Sequence, residues 1–213
     1  MRLTKLGHAC VRIEHDGQVL VVDPGAFTDA EAVDGATAVL VTHQHLDHLH
    51  LEHLARTDAP IYTIESVRRE IADADPGVAE RVQVVTAGQH FDAGLPVTGV
   101  GERHAVVHPD LPPPDNTGFV VDVGGTRIYH PGDSFTPPGL PVDVLLLPVV
   151  GPWSKVSEVA DFGRLVDAPR SVAIHDAVLS DTGLRVFGTI LGGLLNTEAR
   201  SFERVAPGSD VEI

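Results

Sequence analysis

The chain is poor in cysteine, in tryptophan and tyrosine, and in positive charge. Its 213 residues include one Cys, one Trp and two Tyr. The lone Cys10 excludes an internal disulfide and fits a reducing compartment. In an expected strand it reads as a small packed hydrophobe rather than a nucleophile. No stretch approaches the roughly 18 consecutive apolar residues of a membrane span. The first residues show no charged-then-apolar leader, so the expectation is a cytoplasmic protein without a secretion signal or a membrane partner. Lys and Arg number 15 against 30 Asp and Glu, a net charge of −15. Scattered basic residues in so acidic a chain argue against nucleic acid as a partner and against a nuclease. With 43% hydrophobic residues and no internal repeat, residues 1–213 read as one globular domain.

Histidine is what the chain has in quantity, with 12 residues, and their placement is informative. The stretch Thr42-His43-Gln44-His45-Leu46-Asp47-His48 follows the apolar run 38–41 and leads into an amphipathic segment, 49–56. Three imidazoles and a carboxylate so close together at a strand exit are a metal-ligand set. The spacing lets His43 and His45 converge on one ion, while Asp47 and His48, where the chain turns into a helix, address a second. A pair of metals about 3.5–4 Å apart holds a bridging hydroxide suited to attack on an ester, amide or phosphoryl centre. Helix capping would account for Asp47 but for none of the histidines.

Around this cluster the patterning alternates β and α. Strands are expected over 3–14 and 18–23, joined by a hairpin across Asp16-Gly17. A strand over 36–42 reads as buried on both faces. Strand 61–64, helix 66–74 and strand 81–85 follow, then His90 in a surface turn and strand 97–100. Segment 109–116, rich in proline, reads as an extended lip of a pocket. A second hairpin crosses Gly124-Gly125 between 117–123 and 126–129. The run 142–149 is the most apolar. Helix 157–167, strand 170–174, helix 184–195 and strands 202–205 and 211–213 complete the chain.

The string His43-x-His45-x-Asp47-His48 resembles the signature of the metallo-β-lactamase fold superfamily. Its surroundings are most similar to the lactonase-like metal-dependent hydrolases of the L-ascorbate-6-phosphate lactonase type. The resemblance runs along nearly the whole chain. It implies an α+β, four-layer αββα sandwich with two facing mixed sheets. It also implies a first metal on His43, His45 and His104, a second on Asp47, His48 and His175, and a bridging Asp133 from the phrase Tyr129-His130-Pro131-Gly132-Asp133-Ser134. His108 competes with His104, and the strand-end position of His104 favours it, because rigid elements hold ligands more accurately than loops. Asp47 or Asp133 would pass a proton to the leaving group.

Other positions have two readings each. Asp23, in Asp23-Pro24-Gly25, either braces the metal loop by hydrogen bonds or is a turn residue. His8, in Leu6-Gly7-His8-Ala9, either borders the pocket or is a hydrogen-bonded strand histidine. His130 occupies a place where the subgroup carries a histidine that is not a ligand. Trp153 forms either a substrate wall or core. His50 and His53 fall outside the signature and read as solvated or structural.

The donor set suits two divalent ions, Zn²⁺ first, with Mn²⁺ or Fe²⁺ as alternatives. The resemblance implies hydrolysis of an ester-like bond, a lactone or phosphoester, in a small-molecule substrate. No arginine cluster or glycine-rich loop near the ligands favours phosphate. A mononuclear-iron dioxygenase on the same fold is a rival, although such relatives tend to leave the second site incomplete. A non-catalytic metal-binding protein is another. Homo-oligomers are common at this size, and no sequence feature here marks one.

Overall fold

Along the central strands, successive apolar side chains go to different layers, and this alternation builds the architecture. The computed structural model describes residues 1–213 and contains two seven-stranded sheets. In the first, β1 (Arg2–Lys5), β2 (Val11–His15) and β3 (Gln18–Val22) pair antiparallel, and β4 (Ala38–Val41), β5 (Ile61–Thr63) and β6 (Val82–Val84) continue in parallel. The second follows the same plan. There β7 (His90–Asp92), β8 (Pro96–Val100), β9 (Gly118–Val123) and β10 (Thr126–His130) are antiparallel, and β11 (Val144–Pro148), β12 (Arg170–Ile174) and β13 (Ser201–Glu203) are parallel. The last strand, β14 (Ser209–Val211), returns to pair with β1.

Five helices lie outside the sheets: α1 (Leu51–Ala55), α2 (Glu65–Ala74), α3 (Pro76–Ala79), α4 (Val156–Val166) and α5 (Asp181–Leu195). In β4, Leu40 joins the inter-sheet core with Leu20, Val121, Leu146 and Ile174, while Val39 and Val41 face Leu54 and Ile71 of the helical layer. In β11, Leu146 points inward and Leu145 and Leu147 pack with Val159, Phe162 and Leu191 of α4 and α5. Strands buried on both faces need such unbroken apolar runs. The result is the four-layer αββα sandwich.

Both expected hairpins form, with Asp16 and Gly17, and Gly124 and Gly125, all at positive φ, as a type I′ turn requires. Two expectations need correction. The run 3–14 is not one strand: pairing stops at Lys5 and resumes at Val11. Between them residues 6–10 reverse the chain so that β1 and β2 pair antiparallel, with the Leu6 amide donating to the Cys10 carbonyl at 2.8 Å, and Gly7 in this loop passes so close to Thr28 that a Cβ would collide with its side chain. His90 is not in a turn but opens β7, its ring exposed and bonded through Nδ1 to Thr98 Oγ1 at 2.8 Å. The turn ends just before it, at Ala87-Gly88, where Gly88 has a φ of +76° and the Gln89 amide donates to the Thr86 carbonyl at 3.1 Å. Helix α5 also starts earlier than its apolar pattern, because Ser180 caps it by accepting from the Gly183 amide.

Candidate metal centre

The chemistry-bearing residues leave the carboxyl ends of parallel and hairpin strands on one edge of the sandwich. Asp23 follows β3, His43 follows β4, Asp133 closely follows β10 and His175 follows β12. Asp23 and His175 hold left-handed backbone, φ 51° and 58°, a conformation that costs a non-glycine residue energy and gathers at functional sites. Two glycines permit the close approach of the loops. A Cβ on Gly25 would strike the Asp47 backbone, and one on Gly132, at φ +63°, would strike Asn116 and Thr42.

Seven side chains converge. His43, His45, His104 and Asp133 place one donor atom each within 4.8 Å of one another, and so do His48, Asp133 and His175, with Asp133 common to both groups. A third such group is His8, Asp47 and His175. Asp133 lies at the centre: its carboxylate is 3.1 Å from His48 Nε2, 3.1 Å from His175 Nε2 and 3.3 Å from His104 Nε2. Asp47 Oδ2 is 3.2 Å from His175 Nε2 and 3.8 Å from His48 Nε2.

The far side of each ring shows which nitrogen is free. His48 Nδ1 donates to Asp23 Oδ2 at 2.7 Å, His104 Nδ1 to the Ala105 carbonyl at 2.6 Å and His175 Nδ1 to the Val150 carbonyl at 2.5 Å. Thr42 Oγ1 gives its proton to Asp23 Oδ2 at 2.8 Å, so it accepts from His43 Nδ1 at 3.0 Å. Each of these four rings therefore turns Nε2 inward as a lone-pair donor. His45 differs and presents Nδ1, 3.0 Å from His43 Nε2. The outer partners fix tautomer and orientation in the manner of metal-bound histidines.

The residues fit a cation by an independent test. His48 Nε2, His104 Nε2, His175 Nε2 and Asp133 Oδ1 are buried and have no hydrogen-bond partner. Orphaned buried polar atoms are costly and rare. Four such atoms around one point fit positive ions, and His8 Nε2 beside them is in the same state.

Electrostatics of the metal-free site agree. Burial holds His43 well below its ordinary range, with His48 adding to the effect, and burial and His104 lower His45. For His48 and His175 burial also opposes charge, but carboxylates outweigh it: Asp133 and Asp23 raise His48 well above its usual value, and Asp133 raises His175 to about 9. Against burial, His48 and His175 hold Asp133 well below the carboxylate range, and His175 and His8 do the same for Asp47. At Nε2 of His48 and His175 a bound cation would therefore compete with a proton.

The remaining candidates fall into place around this cluster. Asp23 is fully buried and accepts from the Thr42 amide, the Thr42 hydroxyl and His48, so it braces the loop and is no simple turn residue. His130 accepts from the Gly132 amide at Nδ1 and donates from Nε2 to the Ala9 carbonyl, which leaves it no lone pair for a metal. His8 lies beside the site, with Nε2 3.2 Å from Asp47 Oδ2. His108 is exposed and pairs with Asp110, whereas His104 is buried in the cluster. Trp153 is buried and donates from Nε1 to Asp133 Oδ2 at 3.1 Å. His53 is structural, bonded to the Pro24 carbonyl.

Sequence reasoning missed Asn116, which donates to the Pro131 carbonyl and accepts from the Asp133 amide. It also passed over Asp176, a buried carboxylate held by Lys5 and Arg204. An Asp directly after a ligand histidine was the one available signal.

Comparison with known proteins gives the same picture. A model of the β-lactamase superfamily domain matches residues 2–175. Protein Rv0786c of Mycobacterium tuberculosis is 36% identical over 188 residues, 84% of this chain and 86% of its own length. A UPF0173 metal-dependent hydrolase of Thermococcus onnurineus is 25% identical over 190 residues, 80% of this chain and 82% of its own. Among solved structures, the metallo hydrolase Igni18 of Ignicoccus hospitalis shares the fold at a TM-score of 0.74 and 21% identity, covering 99% of this chain and 97% of its own. The chain belongs to the metallo-β-lactamase superfamily of metal-dependent hydrolases.

Proposed function

We propose that this protein is a dinuclear metal-dependent hydrolase that cleaves an ester-like bond in a small molecule, with a lactone or other carboxylic ester ahead of a phosphoester. The observation that carries the reading is the pair of donor sets that share Asp133, in which Nε2 of His48, His104 and His175 has no hydrogen-bond partner. His43 Nε2, His45 Nδ1 and His104 Nε2 would hold one cation. Asp47, His48 Nε2 and His175 Nε2 would hold the other, and Asp133 would bridge. Imidazole and carboxylate donors suit Zn²⁺, with Mn²⁺ or Fe²⁺ as alternatives. When bound, such a pair supplies a water nucleophile at neutral pH and stabilises the oxygen that gains negative charge.

The chain's own residues do the rest. Asp23 orients His48 and the metal loop together, and Trp153 and Asn116 hold Asp133 from opposite ends. Of the two carboxylates, Asp47 is the one solvent reaches, its side chain 21% exposed against 3% for Asp133. Asp47 is therefore the group placed to hand a proton to a leaving alkoxide.

Surface chemistry supports a neutral, partly apolar substrate. Loops that supply ligands also carry exposed large apolar residues: Phe27, Leu46, Val106, Val107 and Val178. A cleft of about 280 Å³ beside His8 is lined by Phe27, Leu179 and Leu184 among others. Apolar surface gathered at one place marks a binding site. The cations nearby are engaged, Arg103 with Asp115 and both Lys5 and Arg204 with Asp176, which leaves a phosphate little to pair with beyond the metals. A dioxygenase on one iron would leave unused the second donor set, His48 and His175 with the shared Asp133.

The test is metal content of protein purified without added metal, paired with hydrolysis of lactones, phosphodiesters and thioesters before and after chelation. Chelator-sensitive lactone opening is expected. One iron per chain without hydrolysis would favour the dioxygenase, and full occupancy without turnover a binding role.

A further inference from the structure

His8 is the one side chain near the second cation set that its position alone leaves ambiguous. It is buried, its Nε2 lies 3.2 Å from Asp47 Oδ2 without an aligned hydrogen bond to any partner, and its ring centroid is 3.9 Å from that of His175. By proximity it forms a candidate ligand triplet with those two residues.

The far nitrogen resolves the ambiguity. His8 Nδ1 is 3.0 Å from the backbone nitrogen of Ala177. An amide N–H can only donate, so Nδ1 must carry a lone pair. A neutral imidazole has one lone pair and one N–H, which puts the hydrogen of His8 on Nε2, facing Asp47. Binding a cation through Nε2 would require either an imidazolate or the loss of the Ala177 bond. The four rings His43, His48, His104 and His175 show the opposite pattern, with Nδ1 donating outward and Nε2 bare. His130 shows the same pattern as His8, accepting from an amide at Nδ1 and donating from Nε2.

We propose that His8 is a positioning residue: it donates from Nε2 to the Asp47 carboxylate, holds that ligand in place, and does not itself ligate the second cation. The backbone secures it for this task. The His175 amide donates to the His8 carbonyl at 2.7 Å, so residues 175 and 177 clasp residue 8 from two sides and tie the loop bearing His175 to the group that sets Asp47. One consequence rests on the two-cation reading: with His8 excluded, the second cation would be held by Asp47, His48, His175 and the shared Asp133 alone.

The test reads tautomers and metal binding, so it stands apart from whether any substrate is turned over. In long-range ¹H–¹⁵N spectra of the full chain labelled at histidine, His8 should show a bare Nδ1 and a protonated Nε2 both metal-free and after zinc loading. His48, His104 and His175 should show protonated Nδ1 and bare Nε2 in the zinc form. Loss of the His8 Nε2 proton on zinc loading would overturn the proposal. In zinc titrations, His8→Phe should weaken the second equivalent by about 10- to 100-fold, the usual range for such outer partners, and leave the first unchanged. His8→Gln, whose amide can donate to Asp47, should restore the second equivalent to within about tenfold of wild type, inside that same range. Wild-type binding by His8→Phe, or a His8→Gln as defective as His8→Phe, would count against a donor. Should His8→Phe fail to fold, the spectra and His8→Gln decide.

Discussion

His175 and Asp176 are neighbours at the end of β12, both almost fully buried, and their surroundings are opposites. Asp176 receives Lys5 Nζ on one oxygen and Arg204 Nε on the other, each at 2.7 Å. Lys5 is wholly inaccessible, and burial lowers its pKa despite the pairing. Both oxygens of that carboxylate are paired, and so is the Lys5 ammonium. His175 instead points Nε2 into a space where four imidazole nitrogens, that of His8 included, and a carboxylate oxygen have no partner. The contrast separates two uses of buried charge. A cluster that holds the fold together satisfies itself, because an unpaired buried ion is strongly destabilising. A cluster built for a cation is left incomplete by the chain.

That contrast can be broken by experiment, beginning with the largest effect. Replacing His45 or Asp47 with Ala should abolish cation binding at the affected set, a loss beyond the roughly 100-fold ceiling for outer partners. Turnover should fall with it, while the unfolding midpoint of the metal-free protein barely moves. Metal analysis and kcat/KM check this, and retained metal and turnover would remove the basis of the account. Asp176→Asn should do the reverse. It strands Lys5 and should cost about 3–5 kcal/mol in denaturant unfolding, with cation stoichiometry unchanged; a stable variant that had lost metal would merge the two clusters into one.

Asp23→Asn falls between them. It removes the acceptor for His48 Nδ1 and the Thr42 hydroxyl, so cation affinity should drop by about 10- to 100-fold in competition with a chelator. The smallest effect is a pH dependence. Against the effect of burial, the Asp133 carboxylate raises His175 from its ordinary value of 6.5 to about 9. That raised value stabilises the metal-free fold fully below about 6.5 and is lost as pH rises toward about 9. Cation affinity should run the other way, increasing over that window as the proton is given up. Thermal melts of metal-free protein and zinc titrations across pH 6–9, a window on the order of that set by this pair of values, read the two slopes.

Sequence patterning foretold much of this, and its failures have physical causes. Consecutive ligands in 43–48 were legible because they lie on one short loop, and β12 matched its apolar run residue for residue. Asp23 could not be told from a turn residue, since what distinguishes it is a bond to His48, 25 positions away. Lys5 was unreadable for the same reason. A lysine on a strand suggests a solvent-facing position, and only its partner 171 residues further on keeps it inside. The break between β1 and β2 was hidden because the chain reverses through residues 6–10 without the Asp-Gly or Gly-Gly pair that marks the two other hairpins. His104 and His108 differ in sequence by little, yet one is enclosed by the cluster and the other is in solvent.

The measurement that bears most directly on the central claim is a zinc titration of the metal-free protein and of Asp176→Asn, read as equivalents bound per chain. Two equivalents in both are expected, since the converging donor atoms form two sets around Asp133 and Asp176 belongs to neither. One equivalent or none in the unaltered protein would contradict the claim that those atoms await a pair of cations.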